Sequence, residues 1–170
     1  NSSMTLQLIN SLSFEAAYIE FQKCCGARQW VAQMADRRPF RSRDDLMTAA
    51  DTIWQALEPS AWKDSFAHHP RIGNLEALKE KFASTAQWAE GEQSGVQTAS
   101  DEIMMKLAAG NKEYEEKFGY IFIVCATGKS AHEMHSILEQ RLRNDPEHEL
   151  TIAAEEQRKI TRIRLEKLLA

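Results

Sequence analysis

Glycine, proline and cysteine are all scarce in this 170-residue chain, with 7, 4 and 3 copies. Sandwiches, barrels and disordered tails need many turn-forming residues, so this scarcity argues against them and favours long helices. Cys24, Cys25 and Cys125 cannot all pair within the chain, and the adjacent Cys24 and Cys25 have poor geometry for a disulfide. We therefore expect free thiols in a reducing compartment and predict a cytoplasmic protein.

Long apolar runs, a basic excess and nucleotide-binding motifs are also missing. No run approaches the ~20 residues of a membrane span, and no signal peptide is recognisable. The 21 Lys and Arg against 25 Asp and Glu give a net charge of −4, whereas nucleic-acid binders are usually basic. The patterns GxxxxGK[ST], GxGxxG and GxSxG do not occur. Membrane, nucleic-acid, phosphate-loop and serine-hydrolase functions are therefore not expected.

The composition that is present is typical of one soluble domain. Hydrophobic residues make up 43%, charged residues 27% and aromatic residues 8%. A chain of this length can bury a sizeable core without a metal or disulfide. The first three residues, 1–3, are interpreted as a cloning remnant, which leaves one predicted domain over 4–170. We predict an all-α fold, a single compact multi-helix domain with one buried extended segment near 120–126.

Capping residues and apolar periodicity divide the chain into predicted helices. They cover about 13–25, 28–36, 42–58, 75–82, 86–94, 100–118, 130–143 and 145–168, and a short turn capped by Ser60 is predicted to reach Phe66. Ser130 with Glu133 forms a capping box, and Asp145 is an N-cap followed by Pro146 at the first helical position. The most apolar stretch, 118–126, has strand propensity but no partner strand, so we interpret it as extended and buried.

Two histidines offer the main candidate for a metal site. His132 and His135 lie three residues apart on a predicted helix, with Glu133 and Glu139 nearby. Such a pair can share a metal ion, but HExxH and Cys/His clusters are absent. Two solvated helix histidines remain the alternative, and we predict no metal and no cofactor.

A His-Pro loop is the strongest single feature for chemistry. Pro70 disfavours helical dihedrals at His69, and Gly73 with Asn74 favours a turn. A histidine there can point into a pocket and titrate near neutral pH, as a general acid or base requires. A histidine that merely packs beside a proline is the alternative, and His68 is the adjacent competitor.

Two further segments could bind a polar ligand. Glu92 and Gln93 are neighbours after Trp88, and a carboxylate beside an amide offers both donors and acceptors. Residues 123–127 form an extended apolar stretch whose main-chain groups must bond to something, which could be a ligand. A solvated helix surface and plain core, respectively, are the alternatives.

Taken in order, these segments resemble one family, the OHCU decarboxylases, which act on 2-oxo-4-hydroxy-4-carboxy-5-ureidoimidazoline between urate and allantoin. The shared motifs are His-Pro-Arg-Ile-Gly at 69–73, Trp-x-x-x-Glu-Gln at 88–93, Phe-Gly-Tyr-x-Phe-Ile-x-x-Ala-x-Gly-Lys-Ser at 118–130, Arg-Leu-x-Asn at 141–144 and Glu-Glu-Gln-x-Lys-Ile at 155–160. Each motif is short, but the set is specific, and the resemblance runs from about Leu12 to Leu168.

The resemblance implies an all-α homodimer that decarboxylates a small ureidoimidazoline to (S)-allantoin without a cofactor. It implies that His69 and Glu92 are the catalytic residues. The substrate-binding residues that it implies are Pro70, Ala89, Gln93, Ile123, Val124, Cys125, Ala126 and Thr127. A non-catalytic helical ligand-binding or adaptor domain is the alternative, but it would not explain why His69, Glu92 and Gln93 occur together.

Position 89 departs from the family pattern. The family often has Ser three residues before the catalytic Glu, where its hydroxyl contacts the substrate, and this chain has Ala89. One hydrogen bond contributes about 0.5–1.5 kcal/mol net. We therefore expect weaker substrate binding and retained activity.

Overall fold

The computed structural model describes residues 4–70 and 94–170, which contain eight α-helices and no strand. In chain order they are α1 (Leu6–Ser11), α2 (Phe14–Gln22), α3 (Arg28–Arg37), α4 (Arg43–Gln55), α5 (Pro59–Phe66), α6 (Ser94–Phe118), α7 (Ala131–Leu142) and α8 (Pro146–Leu169). The all-α prediction is confirmed. The helices predicted over 75–82 and most of 86–94 lie outside the described residues.

Capping explains where most of these helices begin. The hydroxyls of Ser13 and Ser42 accept from the backbone N–H groups of Ala16 and Asp45. The predicted capping box at Ser130 is confirmed, with both reciprocal hydrogen bonds to Glu133 present. These caps start α2, α4 and α7 at the predicted residues.

One helix was missed, and two predicted starts were wrong. α1, capped by Thr5, was not predicted, because six residues are too few to show helical periodicity. α5 begins at Pro59 after Glu58, so Ser60 is not its cap; proline is favoured at the first helical position because its missing N–H needs no partner there. α6 is already helical at Ser94, six residues before the predicted start at Ser100.

Residue contacts divide the described chain into two units. The first contains the residues up to His69 together with Ile123–Cys125 and Leu150–Ala170, and the second contains those of 70–122 and 126–149. In the first unit, Trp30 is fully buried, meets Phe21 edge to face at 6.1 Å, and donates to the Ala50 carbonyl at 3.1 Å. In the second unit, α6 packs along α7, with Leu107 and Leu138 in the core.

The chain leaves α6 at Gly119, and residues 121–126 are neither helix nor strand. Gly119 has φ +85°, a conformation that L side chains rarely adopt, so glycine is required at this exit. Ile123 and Cys125 are buried, whereas the residues between and around them are half-buried. The predicted interruption of the helices near 120–126 is confirmed, but only Ile123 and Cys125 of this segment are buried.

Candidate functional site

His69 and His68 follow the end of α5, and their environments differ. Backbone N–H groups of His68 and His69 bond to Ser65 and Phe66 carbonyls at 3.0 and 3.2 Å, which continues the helical turn to the residue before Pro70. His69 is half-buried, whereas His68 is exposed. The two neighbouring rings therefore enter different surroundings.

His68 is held by its own helix and by a glycine. Its Nδ1 lies 2.8 Å from the Asp64 carbonyl oxygen. A Cβ atom at Gly26 would approach Cγ of His68 to 2.4 Å, so the His68 ring lies directly on the glycine backbone. These contacts give His68 a packing role.

His69 contacts the last helix instead. Its Nε2 lies 2.5 Å from Oε1 of Gln157, a residue of α8 with no exposed surface. The Gln157 amide nitrogen donates to the Thr161 hydroxyl at 2.9 Å, one helical turn further on. A buried amide that binds an imidazole fixes the orientation of its ring, which a proton-transfer group requires.

Glu156, the residue before Gln157, binds the candidate segment 123–127. The Cys125 N–H donates to Oε1 of Glu156 at 2.8 Å, and the other carboxylate oxygen of Glu156 pairs with Lys159 at 2.9 Å. Within the first unit, neighbouring residues of α8 therefore bind His69 and this segment. The Cys125 N–H that could have served a ligand is engaged by the protein itself.

The other predicted site residues are placed as follows. Pro70 is exposed, Val124 and Ala126 are half-buried, Thr127 is exposed in a turn, and Ile123 is buried. Ala89, Glu92 and Gln93 lie outside the described residues. The prediction that His69, Glu92 and Gln93 come together therefore stays a prediction.

Burial also acts on the thiols near this region. The Cys25 thiol lies 3.4 Å from the Ser65 hydroxyl. Burial raises the pKa of Cys25, and hydrogen bonding to Ser65 opposes the rise only in part. Burial likewise raises the pKa of Cys24 to about 12. Cys24, Cys25 and Cys125 are buried and form no disulfide. The raised pKa values of Cys24 and Cys25 keep both thiols protonated at neutral pH.

His132 and His135 do not gain further ligands in the structure. His132 is exposed, and Nε2 of His135 lies 3.8 Å from a carboxylate oxygen of Glu139. Within 4–70 and 94–170, no group of three or more His, Cys, Asp or Glu side chains could hold a metal ion. In the same part of the chain, no helix has both the length and the apolar character of a membrane-crossing segment.

Sequence reasoning gave no role to Glu156 or Gln157, although both lie in a quoted motif. A signal was present in the spacing. Buried residues recur every fourth position along α8, and they are Glu149, Ala153, Gln157, Thr161 and Leu165. Polar residues on the buried face of a helix indicate specific hydrogen-bonding partners.

Comparison with known proteins identifies the family. The family model described as OHCU decarboxylase matches residues 10–166. A crystal structure of OHCU decarboxylase in the presence of (S)-allantoin is 34% identical, with a TM-score of 0.70 over 88% of this chain and 96% of that one.

Two curated relatives agree with this match. The Arabidopsis thaliana uric acid degradation bifunctional protein TTL is 33% identical over 94% of this chain, which spans only 49% of that protein. The 2-oxo-4-hydroxy-4-carboxy-5-ureidoimidazoline decarboxylase of Amia calva is 26% identical over 98% of this chain and 95% of its own length. The predicted resemblance is confirmed: the chain belongs to the OHCU decarboxylase family.

Proposed function

We propose that this chain decarboxylates 2-oxo-4-hydroxy-4-carboxy-5-ureidoimidazoline (OHCU) to (S)-allantoin during urate breakdown. The observation that carries the proposal is the match over residues 10–166 to a family named for this reaction. The 34% identical structure was determined with (S)-allantoin, the product of the proposed reaction. A non-catalytic binding domain is not favoured, because the relatives in this family are named as enzymes.

The substrate carries its own electron sink. One ring carbon of OHCU bears the carboxylate and a hydroxyl, and the adjacent carbon is doubly bonded to a ring nitrogen. When the bond to the carboxylate breaks and CO₂ leaves, the electron pair forms a C=C bond, and the C=N electrons move to the nitrogen, which gains a proton. The reaction as written needs neither a redox partner nor an external electron sink.

The enzyme must then direct two protons. The enol hydroxyl loses its proton as the ketone forms, and the neighbouring carbon gains a proton on one face. Without a protein the planar carbon can be protonated on either face, so a single hand of allantoin requires a positioned donor. We assign this work to His69, which acts on the hydroxyl or on the new C–H bond.

Glu92 and the binding residues complete the proposed site. Glu92 lies near the departing carboxylate or orients His69, and Gln93 donates and accepts hydrogen bonds at the ureido and ring amide groups. Main-chain groups of the segment 123–127 and the ring of Pro70 line the same site. Support comes from the motif match at these positions and from the fixed ring of His69.

A coupled assay tests the proposal. OHCU is generated from urate just before use, and the protein is added after exhaustive dialysis against a chelator. We expect faster decay of OHCU and formation of (S)-allantoin, detected by its circular dichroism. Racemic allantoin formed at the uncatalysed rate, or activity restored only by added metal, would overturn the proposal.

We further propose a homodimer, on the basis of the resemblance, and a cytoplasmic location, because none of the three cysteines forms a disulfide in the structure. Sedimentation equilibrium of the purified chain tests the association. A mass of two chains at micromolar concentration supports the dimer, and a mass of one chain contradicts it.

A further inference from the structure

Three of the buried positions spaced four apart along α8 are polar, and two of these, Gln157 and Thr161, lie in the first unit. Gln157 has no exposed surface and Thr161 is 6% exposed. An apolar side chain would fill such positions with less loss of hydration, so buried polar groups indicate partners that they bind. The partner of Gln157 outside its own helix is His69.

Both ends of the Gln157 amide are engaged. Oε1 lies 2.5 Å from His69 Nε2, and the amide nitrogen donates to Thr161 Oγ1 at 2.9 Å. An amide nitrogen can only donate a hydrogen bond, so the Thr161 oxygen is the acceptor in this contact. The amide nitrogen is thereby directed to Thr161 and the amide oxygen to His69.

The direction of the amide determines the state of the ring. A neutral imidazole carries one N–H group, and an amide oxygen can only accept a hydrogen bond. The contact with Oε1 therefore places the proton on Nε2 and leaves Nδ1 of His69 as the basic nitrogen.

We propose that Gln157, oriented by Thr161, is a positioning residue that holds His69 in the Nε2–H tautomer with its ring fixed. Its consequence for the rate rests on the proposed decarboxylation, whereas the tautomer is a property of the resting protein. A ring that rotates, or that carries its proton on the other nitrogen, presents the wrong atom to the substrate.

Nitrogen NMR of the resting protein tests the tautomer directly. The ring nitrogens of the five histidines are labelled, and the His69 signals are identified by their loss in His69→Asn. At a pH where the imidazole is neutral, we expect a protonated Nε2 and an unprotonated Nδ1. A proton on Nδ1 in the wild-type protein overturns the inference without any variant of Gln157.

Two substitutions separate positioning from packing. Gln157→Met keeps the length and shape but removes the acceptor, so we expect a mixture of tautomers and a lower kcat with little change in KM. The loss should be about 10- to 100-fold, as when the outer partner of a metal-bound histidine is removed. Gln157→Glu keeps an acceptor oxygen, so it should retain the Nε2–H tautomer and more activity than Gln157→Met.

Gln140→Met is the matched control, because Gln140 is exposed on α7 and the substitution changes no buried contact. It should leave the tautomer and kcat unchanged. If Gln157→Met retains the wild-type tautomer and kcat, the inference is wrong. If Gln157→Met does not fold, Gln157→Glu decides: at a pH where the imidazole of that variant is neutral, a proton on Nδ1 with none on Nε2 overturns the proposal. Failure of the wild-type protein to form (S)-allantoin would instead refute the proposed function and leave the tautomer result standing.

Discussion

Each of the two units contains a buried polar residue of α8, and both residues belong to the series spaced four apart. Glu149 in the second unit is acidic, whereas Gln157 in the first unit is neutral. In the second unit, fully buried Glu149 accepts from Arg141 at 2.6 Å, from Asn144 at 3.0 Å and from the Tyr114 hydroxyl. In the first unit, Gln157 is equally buried, but its partners are an imidazole and a hydroxyl.

This difference suggests a structural role for Glu149 and a catalytic role for the histidine that Gln157 binds. A buried carboxylate is tolerated only when charged and hydrogen-bonded partners surround it, and Arg141 also lies over the Phe122 ring at 4.7 Å. Burial and the Glu149 hydrogen bond both raise the pKa of Tyr114, which therefore remains a donor. The hydrogen bonds that link Thr161, Gln157 and His69 form a neutral chain of side chains, which ends on the half-buried ring of His69. Histidine is the side-chain type that changes charge near neutral pH. We therefore expect damage in the second unit to lower stability and damage at His69 to lower activity.

The largest expected effect is the loss of activity when His69 or Glu92 is replaced. His69→Asn keeps a polar side chain but removes the titrating group, and Glu92→Gln keeps the shape but removes the charge. Each should lower kcat by about 10²–10⁴-fold, the usual contribution of a general acid or base. If both groups act in one step, the double variant should lose less than the product of the single losses. The measurement is steady-state decay of fresh OHCU, with circular dichroism to confirm the helices.

His68→Asn is the control for this experiment, since His68 bonds to the Asp64 carbonyl and packs on Gly26. It should change kcat far less than His69→Asn does. Equal damage from both substitutions, or full activity of His69→Asn, would show that the wrong histidine was assigned.

The second-largest expected effect is the loss of stability when the buried Glu149 carboxylate is removed. Glu149→Gln leaves the Arg141 guanidinium buried without its carboxylate, and loss of one partner of a buried ion pair costs about 3–5 kcal/mol. We expect the free energy of unfolding in urea to fall by that amount, while kcat of the folded protein stays near the wild-type value.

Glu155→Gln is the control for Glu149→Gln, because it removes a carboxylate from an exposed ion pair. Glu155 pairs with Arg158 at 2.7 Å with 46% of its side chain exposed, and such pairs contribute only about 0–1 kcal/mol. An equal loss of stability in both variants would remove the distinction between the two pairs. A large loss of kcat in folded Glu149→Gln would show that the charged group also serves catalysis.

The sequence predicted the helical class and most capped helix starts, because caps such as Ser13, Ser42 and Ser130 are local signals. It predicted the start of α5 wrongly, since Pro59 and Ser60 compete as start signals one residue apart. The spacing of apolar and polar residues places Gln157 on the buried face of α8. The partners of Glu156 and Gln157 were not predictable, because they lie 31 and 88 residues away along the chain. His69 was predicted from local chain stiffness beside Pro70, and its partner became visible only through tertiary packing.

The third effect concerns the pH dependence of stability and comes from the buried thiol of Cys25 in the first unit. The unfolded chain releases the thiol proton near its ordinary pKa of 9.0, whereas burial raises the pKa of Cys25 in the folded protein. Above pH 9 the folded state therefore binds more protons, and stability should fall as the pH rises. Cys25→Ser keeps a hydrogen-bonding group that does not ionise there, so the fall should be shallower by up to about 1.4 kcal/mol per pH unit.

Urea unfolding at several pH values above 9 measures this slope. Cys24→Ser should flatten it in the same direction between pH 9 and about 12, because burial also raises the pKa of Cys24. Parallel stability curves for the wild-type protein and both variants would mean that neither thiol is held protonated by the fold.

The smallest expected effect is a gain in ligand affinity when a neutral hydroxyl is added at position 89. Ala89→Ser introduces the hydroxyl that the family often carries three residues before the catalytic Glu, at a position outside the described residues. One neutral hydrogen bond contributes about 0.5–1.5 kcal/mol, which corresponds to a few-fold tighter binding of allantoin in calorimetric titration.

Ala109→Ser, at an exposed position of α6, is the matched control and should leave binding unchanged. Unchanged or weaker binding in Ala89→Ser would show that residue 89 does not face the ligand. A few-fold gain would show that neutral hydrogen bonds tune affinity at the site, on a scale well below the loss expected when the buried charge of Glu149 is removed.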